Sequence, residues 1–356
     1  MKATKTALVL TMLTLVFFPI MIQAAPDSVD VATTAAEEPL RIILMIGDGM
    51  GYEHVELARL VEFGEGGALA MQQLTWNATV TTQAENNPVT DSAAAATAIA
   101  TGEKTYSHHV GMDSTGQSLE TILEYAQSLN KSTGVVSTCR IVDATPASFM
   151  THVIDRYYFE SIVSQIMSSD VDVLLGGGLE YFSPENLTTM ESKGYSVTLN
   201  RTEMLNITSG RIFGLFADVH MDYEFDRNFT ATPSIAEMTN KSLELLTSDP
   251  DGFFLMVEGG KIDLAAHDDD KVRNALDTIA FDKAVQVAID YVNEHSNTIL
   301  IVTADHETEG LVVLSNNLTS ELPGSLSTEE EKRVLRAERA TNVTVDWTAT
   351  YHTATP

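Results

Sequence analysis

The chain has 356 residues, with 50 Asp plus Glu against 21 Lys plus Arg, a formal charge of −29, and 44% of its residues are apolar. That length and apolar fraction can fill the core of one large domain or two ordinary ones, and they exclude a collagen, a coiled coil and a chain disordered throughout. The negative balance argues against a binder of the nucleic-acid backbone, which needs a cationic footprint; it leaves an anionic substrate open, because bound metal ions invert the local field.

The N-terminus reads as a secretory leader: Lys2 and Lys5 precede an apolar run over 7–22, and the small residues Ala24 and Ala25 follow,. Cleavage near Ala25 makes 1–25 a signal peptide, 26–38 a flexible leader and 39–356 a single domain. No stable membrane anchor is expected, and the destination is secreted or periplasmic. Cys139 is the one cysteine, so neither an internal disulfide nor a cysteine-rich metal cluster is available.

The run over 41–46 is almost wholly apolar and ends at Gly47-Asp48-Gly49, which predicts a strand buried on both faces and then a sharp turn. Asp91-Ser92 precedes four alanines and predicts a capped, alanine-rich helix. Ser92 there can face an anion held by the helix N-terminus. Further on, the pattern predicts a helix over 118–128, a strand over 134–137, a helix over 162–167 and a strand over 171–175. A helix over 235–246, a strand over 253–257, a long helix over 268–292 and a strand over 298–302 follow. In the long helix, Val272, Leu276, Ile279, Val287 and Tyr291 keep one stripe apolar,. This alternation implies an α/β fold with a predominantly parallel central sheet flanked by helices on both faces. No Gly-x-Gly-x-x-Gly follows the first strand, so a dinucleotide fold is unsupported. The region 315–342 breaks the rhythm and reads as a solvated insertion.

In an open parallel sheet, ligands bind beyond the carboxyl ends of the strands. Asp48, Glu258 and the pair Asp305-His306 each follow a different predicted strand. Asp263 and His267 share one face if a helix begins near Asp263. Mixed imidazole and carboxylate groups suit zinc, whereas carboxylate, hydroxyl and water suit magnesium. Ser92 lacks the Gly-x-Ser-x-Gly elbow, and its hydroxyl needs a base or a metal to become a nucleophile. His54 and His152 read equally as helix-surface or packing residues and as ligands, His108 and His109 sit in a polar loop, and His220 and His295 have no pattern that marks them as ligands.

The stretches LMIGDGM, TDSAAAATAIATG, DATPASF with Arg156 beyond it, MVEGGKID with His267, VTADHETEG and YHTATP resemble the motifs of the alkaline phosphatase family, in the same order. The resemblance implies an alkaline-phosphatase-like fold and hydrolysis of small phosphate monoesters at alkaline pH through a phosphoserine at Ser92, with two Zn2+ and one Mg2+. Asp48 would bridge one zinc and the magnesium, with Asp305 and His306 completing that zinc. Asp263, His267 and His352 would hold the other zinc, and Thr145 and Glu258 would join Asp48 at the magnesium. Asp143 would orient magnesium-bound water, and Arg156 would clamp phosphate. The resemblance also suggests a homodimer. Family members usually continue well past the last motif, so a C-terminally truncated chain is expected. The competing readings are a related phosphodiesterase or phosphotransferase, and an inactive secreted fragment that binds phosphate or metal.

Overall fold

The run RIILMIG forms strand β1 (Arg41–Gly47), and its alternate side chains serve two different cores. Leu44 and Ile46 join one apolar cluster, and Ile43 and Met45 join another on the opposite face, as the two-residue period of a strand dictates. The computed structural model describes residues 38–353. The predicted signal peptide over 1–25 and the leader up to residue 37 lie outside the described residues.

The remaining sheet strands are β2 (Ser132–Arg140), β3 (Val173–Gly177), β4 (Tyr195–Thr198), β5 (Arg211–Leu215), β6 (Phe253–Gly259) and β7 (Thr298–Ala304). They lie in the order β4-β5-β3-β2-β6-β1-β7, with every pairing parallel. Two short antiparallel pairs stand apart, β8 (Glu307–Thr308) with β11 (His352–Thr353) and β9 (Leu311–Ser315) with β10 (Thr344–Trp347).

In chain order the helices are α1 (Tyr52–Phe63), α2 (Ser92–Thr101), α3 (Ile122–Ser128), α4 (Ala144–Ser148), α5 (Phe159–Ile166), α6 (Pro184–Ser192), α7 (Arg201–Asn206), α8 (Ile235–Leu246), α9 (Lys261–His267), α10 (Lys271–Glu294) and α11 (Glu329–Thr341). Ala93 of α2, Leu123 of α3, Ala147 of α4 and Ile162 of α5 pack on one face of the sheet, whereas Ile235 of α8 and Ala284 of α10 pack on the other. The predicted parallel sheet covered on both faces is therefore the observed architecture. Among the described residues, no helix is long and apolar enough to cross a membrane.

Of the seven strands of the sheet, β4 and β5 were not predicted. Their four and five residues are too few to separate a strand period from a helical one. The charged run near residue 330 forms α11, solvated along one side only. On its inner side Arg336 is buried against Glu62, and Arg339 donates to the carbonyls of Leu60 and Val61 at the end of α1. Leu60 O also accepts from Gly64 N at the C-cap, so the arginine adds its charge and donors to the C-terminal end of α1 from outside.

Asp277 of α10 is buried and accepts a hydrogen bond from Glu224 N at 3.1 Å. Burial, reinforced by Glu224, pushes its carboxyl well above the usual range despite Lys261. The folded chain thus keeps a proton that the unfolded chain releases near pH 4, and the stability tied to this group falls as pH rises from there toward the folded value. Asp277→Asn is expected to raise Tm by about 2–4 °C at pH 8 and by less at pH 5, read from thermal melts.

Candidate functional site: a candidate metal centre beside a helix-start serine

The sheet register brings distant carboxylates together. Ile46 stands level with Glu258, and Gly47 lies between Gly259 and Ala304. The carboxyl ends of β6, β1 and β7 therefore present Glu258, Asp48 and Asp305 side by side, although the chain separates them widely. The turn after β1 requires glycine. Gly49 has φ +66°, and a Cβ there would lie 2.7 Å from both Asp263 Oδ1 and Thr308 Oγ1. Its N–H donates to Asp305 Oδ1 at 3.1 Å. Gly49→Ala is expected to lower Tm by a few degrees, from about 1–2 kcal/mol of backbone strain plus overlap. If Asp263 holds a metal ion, it should also weaken metal binding by about tenfold in a chelator competition, because the overlap falls on Asp263 and on Thr308, which supports it,.

Ser92 opens α2, and Asp91 caps that helix by accepting from Ala94 N at 3.1 Å. Ser92 Oγ lies 3.2 Å from His306 Nε2 and 3.5 Å from Asp48 Oδ1. His306 Nε2 also lies 3.4 Å from Asp48 Oδ1 and 3.2 Å from Asp305 Oδ2. Asp305 Oδ1 is engaged by two backbone N–H groups, whereas its Oδ2 is buried without a hydrogen-bond partner. Thr308 Oγ1 donates to Asp263 Oδ1 at 2.6 Å and meets His306 Nδ1 at 3.2 Å. His306 Nδ1 is then the protonated nitrogen, and Nε2 presents a bare lone pair.

A second cluster adjoins the first. Asp263 and His267 face the same way along α9, with His267 Nε2 3.6 Å from Asp263 Oδ1. His352, delivered by the pairing of β11 with β8, places its Nε2 3.6 Å from the same oxygen and 3.2 Å from His267 Nε2. His352 Nδ1 donates to Thr90 O at 2.9 Å, and His267 Nδ1 meets Glu309 Oε1 at 2.8 Å. The two Nε2 atoms and a carboxylate oxygen thus converge on one small volume. Asp305 Oδ2 is buried without a donor, which is costly for an acceptor,, and a cation held by these groups would satisfy it. Asp48, Asp305 and His306, and likewise Asp263, His306 and His352, lie close enough to share an ion.

The electrostatics agree. Burial, then Asp305, Asp263 and Glu258, hold the Asp48 carboxyl well above its usual range. Burial pushes Asp305 up to about 7 and Glu258 up to about 8. Burial also pushes His306 well down, aided by His352, and lowers His352 itself; a neutral imidazole is the ligating form.

Glu258 is buried and receives Ser137 Oγ. Thr145 Oγ1 lies beside the Glu258 carboxyl, buried and without completing a hydrogen bond. Arg156 donates to Asp143 Oδ1 at 3.0 Å and to Asp91 Oδ2 at 3.3 Å. Burial works against its charge, but Asp143 and Asp91 outweigh that and raise its pKa. Cys139, Asp143 and His220 form one more gathering of donor atoms, but Arg140 and Arg156 already bond Asp143 there. His220 Nδ1 accepts from Arg140 N, and burial pushes its pKa down to about 4.

The other histidines serve packing and turns. His54 is buried beside Trp347, with its Nδ1 accepting from Gly51 N. His152 bridges Gly111 O and Glu124, and His295 stacks on Tyr291. Sequence reasoning missed Thr308 and Glu309. Only the fold shows what each one holds.

The comparisons agree with this geometry. Residues 40–336 match the family model described as Alkaline phosphatase. Alkaline phosphatase 4 of Bacillus subtilis (strain 168) is 36% identical over 291 residues, covering 77% of this chain and 63% of that protein. Alkaline phosphatase 3 of the same organism is 37% identical over 289 residues, covering 77% and 62%. The chain therefore spans a little under two thirds of the length of these relatives. The crystal structure of a cold-active alkaline phosphatase from the psychrophile Shewanella sp. superposes with a TM-score of 0.78 at 29% identity, covering 88% of this chain and 91% of that one. With a parallel sheet that gathers acids and histidines around a helix-start serine, and with relatives of this kind, the chain belongs to the alkaline phosphatase family.

Proposed function

We propose that the chain hydrolyses phosphate monoesters to an alcohol and inorganic phosphate through a phosphoserine at Ser92, as a secreted or periplasmic enzyme most active at alkaline pH. The observation that carries this reading is the convergence of bare nitrogen and oxygen acceptors on one serine hydroxyl at the positive end of a helix,. Asp48, Asp305 and His306 suit one zinc, and Asp263, His267 and His352 suit a second. Asp48, Thr145 and Glu258 offer the oxygen donors that suit magnesium, with Asp143 beside them for its water. Divalent cations bound there supply Lewis-acid charge, which favours the serine alkoxide and offsets negative charge on the transferring group.

The chain's own residues bind and orient. Ser92 Oγ bonds to phosphorus as the ester oxygen departs, and the serine's proton ends, overall, on the alcohol. Water then displaces Ser92 from phosphorus and restores its hydroxyl. His306 Nε2 and Asp48 Oδ1 accept from Ser92 Oγ–H and so aim the oxygen. Arg156 has one N–H on each terminal nitrogen tied to Asp91 and Asp143, which leaves another on each for two phosphate oxygens.

The test is hydrolysis of p-nitrophenyl phosphate at alkaline pH by the zinc- and magnesium-loaded chain. A chelator-treated sample and bis(p-nitrophenyl) phosphate serve as comparisons. Metal-dependent turnover of the monoester in preference to the diester is expected. Preference for the diester would make the chain a phosphodiesterase, and stoichiometric phosphate binding without turnover would make it a passive binder.

A further inference from the structure

Among the described residues, the non-glycine residues with left-handed φ are His108, Asn130, Asp170, Asp269, Asn297 and Glu309. Five of these are Asn, Asp or His, the types that tolerate this region best, and all five are exposed. Glu309, at φ +64°, is the exception on both counts, being a longer side chain and only 6% exposed. Glycine would hold the same turn without strain. A strained, buried, charged residue persists where its surroundings over-determine it, and such outliers point to function.

Three contacts show what holds Glu309. Its N–H donates to Tyr351 O at 3.0 Å, and its carbonyl accepts from Ala349 N at 2.9 Å. Its Oε1 meets His267 Nδ1 at 2.8 Å. The backbone of Glu309 thus fastens the segment that carries His352, while its side chain grips the ring of His267. We infer that Glu309 is a positioning residue: its carboxylate fixes His267 as the Nδ1–H tautomer and turns the bare Nε2 toward Asp263 and His352. A carboxylate behind a ligating imidazole sets ring orientation and raises ligand basicity. The inference deepens the metal-centre reading proposed above and rests on it for the consequence in metal affinity, though not for the tautomer.

The experiment uses the full chain and the variants Glu309→Gly and Glu309→Gln. The first readout is 15N–1H correlation spectroscopy of the His267 ring in metal-free protein. Wild type is expected to show Nδ1 protonated and Nε2 bare. Glu309→Gly is expected to show a mixture of tautomers, and Glu309→Gln is expected to keep the wild-type pattern, because its Oε1 still accepts from Nδ1–H. The second readout is zinc affinity by competition with a chromophoric chelator. Glu309→Gly should weaken binding by about 10–100-fold and Glu309→Gln by much less. Glu309→Gly also relieves the backbone, so melting curves of the metal-free variants guard against misfolding as the cause. An unchanged His267 tautomer in Glu309→Gly overturns the inference whatever the zinc result. If wild type binds no zinc, the metal-centre reading falls, and the tautomer measurement still decides the role of Glu309.

Discussion

Ser92→Ala is expected to abolish labelling of the chain by substrate phosphate and to lower turnover by a factor on the order of 10^5. The substitution is clean because the Ser92 side chain has no part in capping α2; Asp91 does that. Alanine is also the best helix former, so the variant should melt with the wild type and keep whatever metal the wild type binds. The hydroxyls nearby offer no substitute. Thr90 Oγ1 is spent on Asp91 O, and Thr145 Oγ1 is buried beside Glu258. The measurement is acid-quenched labelling with radioactive phosphate ester, read beside steady-state turnover. Undiminished labelling would move the nucleophile to another residue.

Removal of divalent cations carries the next largest effect. Asp48, Asp305, Glu258 and Asp263 are all buried, and the first three carry carboxyls raised by burial and by neighbouring carboxylates. Without cations, Asp305 Oδ2 is buried with no donor, and His267 Nε2 and His352 Nε2 face each other at 3.2 Å. A site filled at one hundred times its dissociation constant adds about 2.7 kcal/mol. Two such sites, stripped by chelator, should lower Tm by about 10 °C and silence turnover, with both restored by zinc and magnesium. Equal melting temperatures with and without chelator would rule out a metal centre held by these side chains.

The sequence made most of this arrangement legible through strand ends. Asp48, Glu258 and Asp305 each follow a strongly apolar run, so a parallel sheet suffices to gather them. The helix-start serine was readable from its cap and its alanines, and Asp263 with His267 from their spacing. The strand order was not readable, because nothing local in β1 says that β6 and β7 are its neighbours. Arg336 and Arg339 look like solvated charges in a charged run, yet they hold α11 against α1. Thr308 and Glu309 were missed for a related reason. Their roles exist only through contacts across the fold, and Glu309 acts from a left-handed backbone that its residue type argues against.

The position of β1 between β6 and β7 also governs the order of assembly. The first strand to be synthesised pairs only with two of the last, and about 200 residues separate it from the nearer of them. At ribosomal speeds of about 5–20 residues per second, that apolar ribbon waits on the order of 10–40 s for its neighbours. Such non-local pairing folds slowly, and an unpaired strand invites aggregation meanwhile. A nascent chain of this protein is therefore expected to need protection of that strand until β6 and β7 arrive, and the site is completed later still, when β11 brings His352.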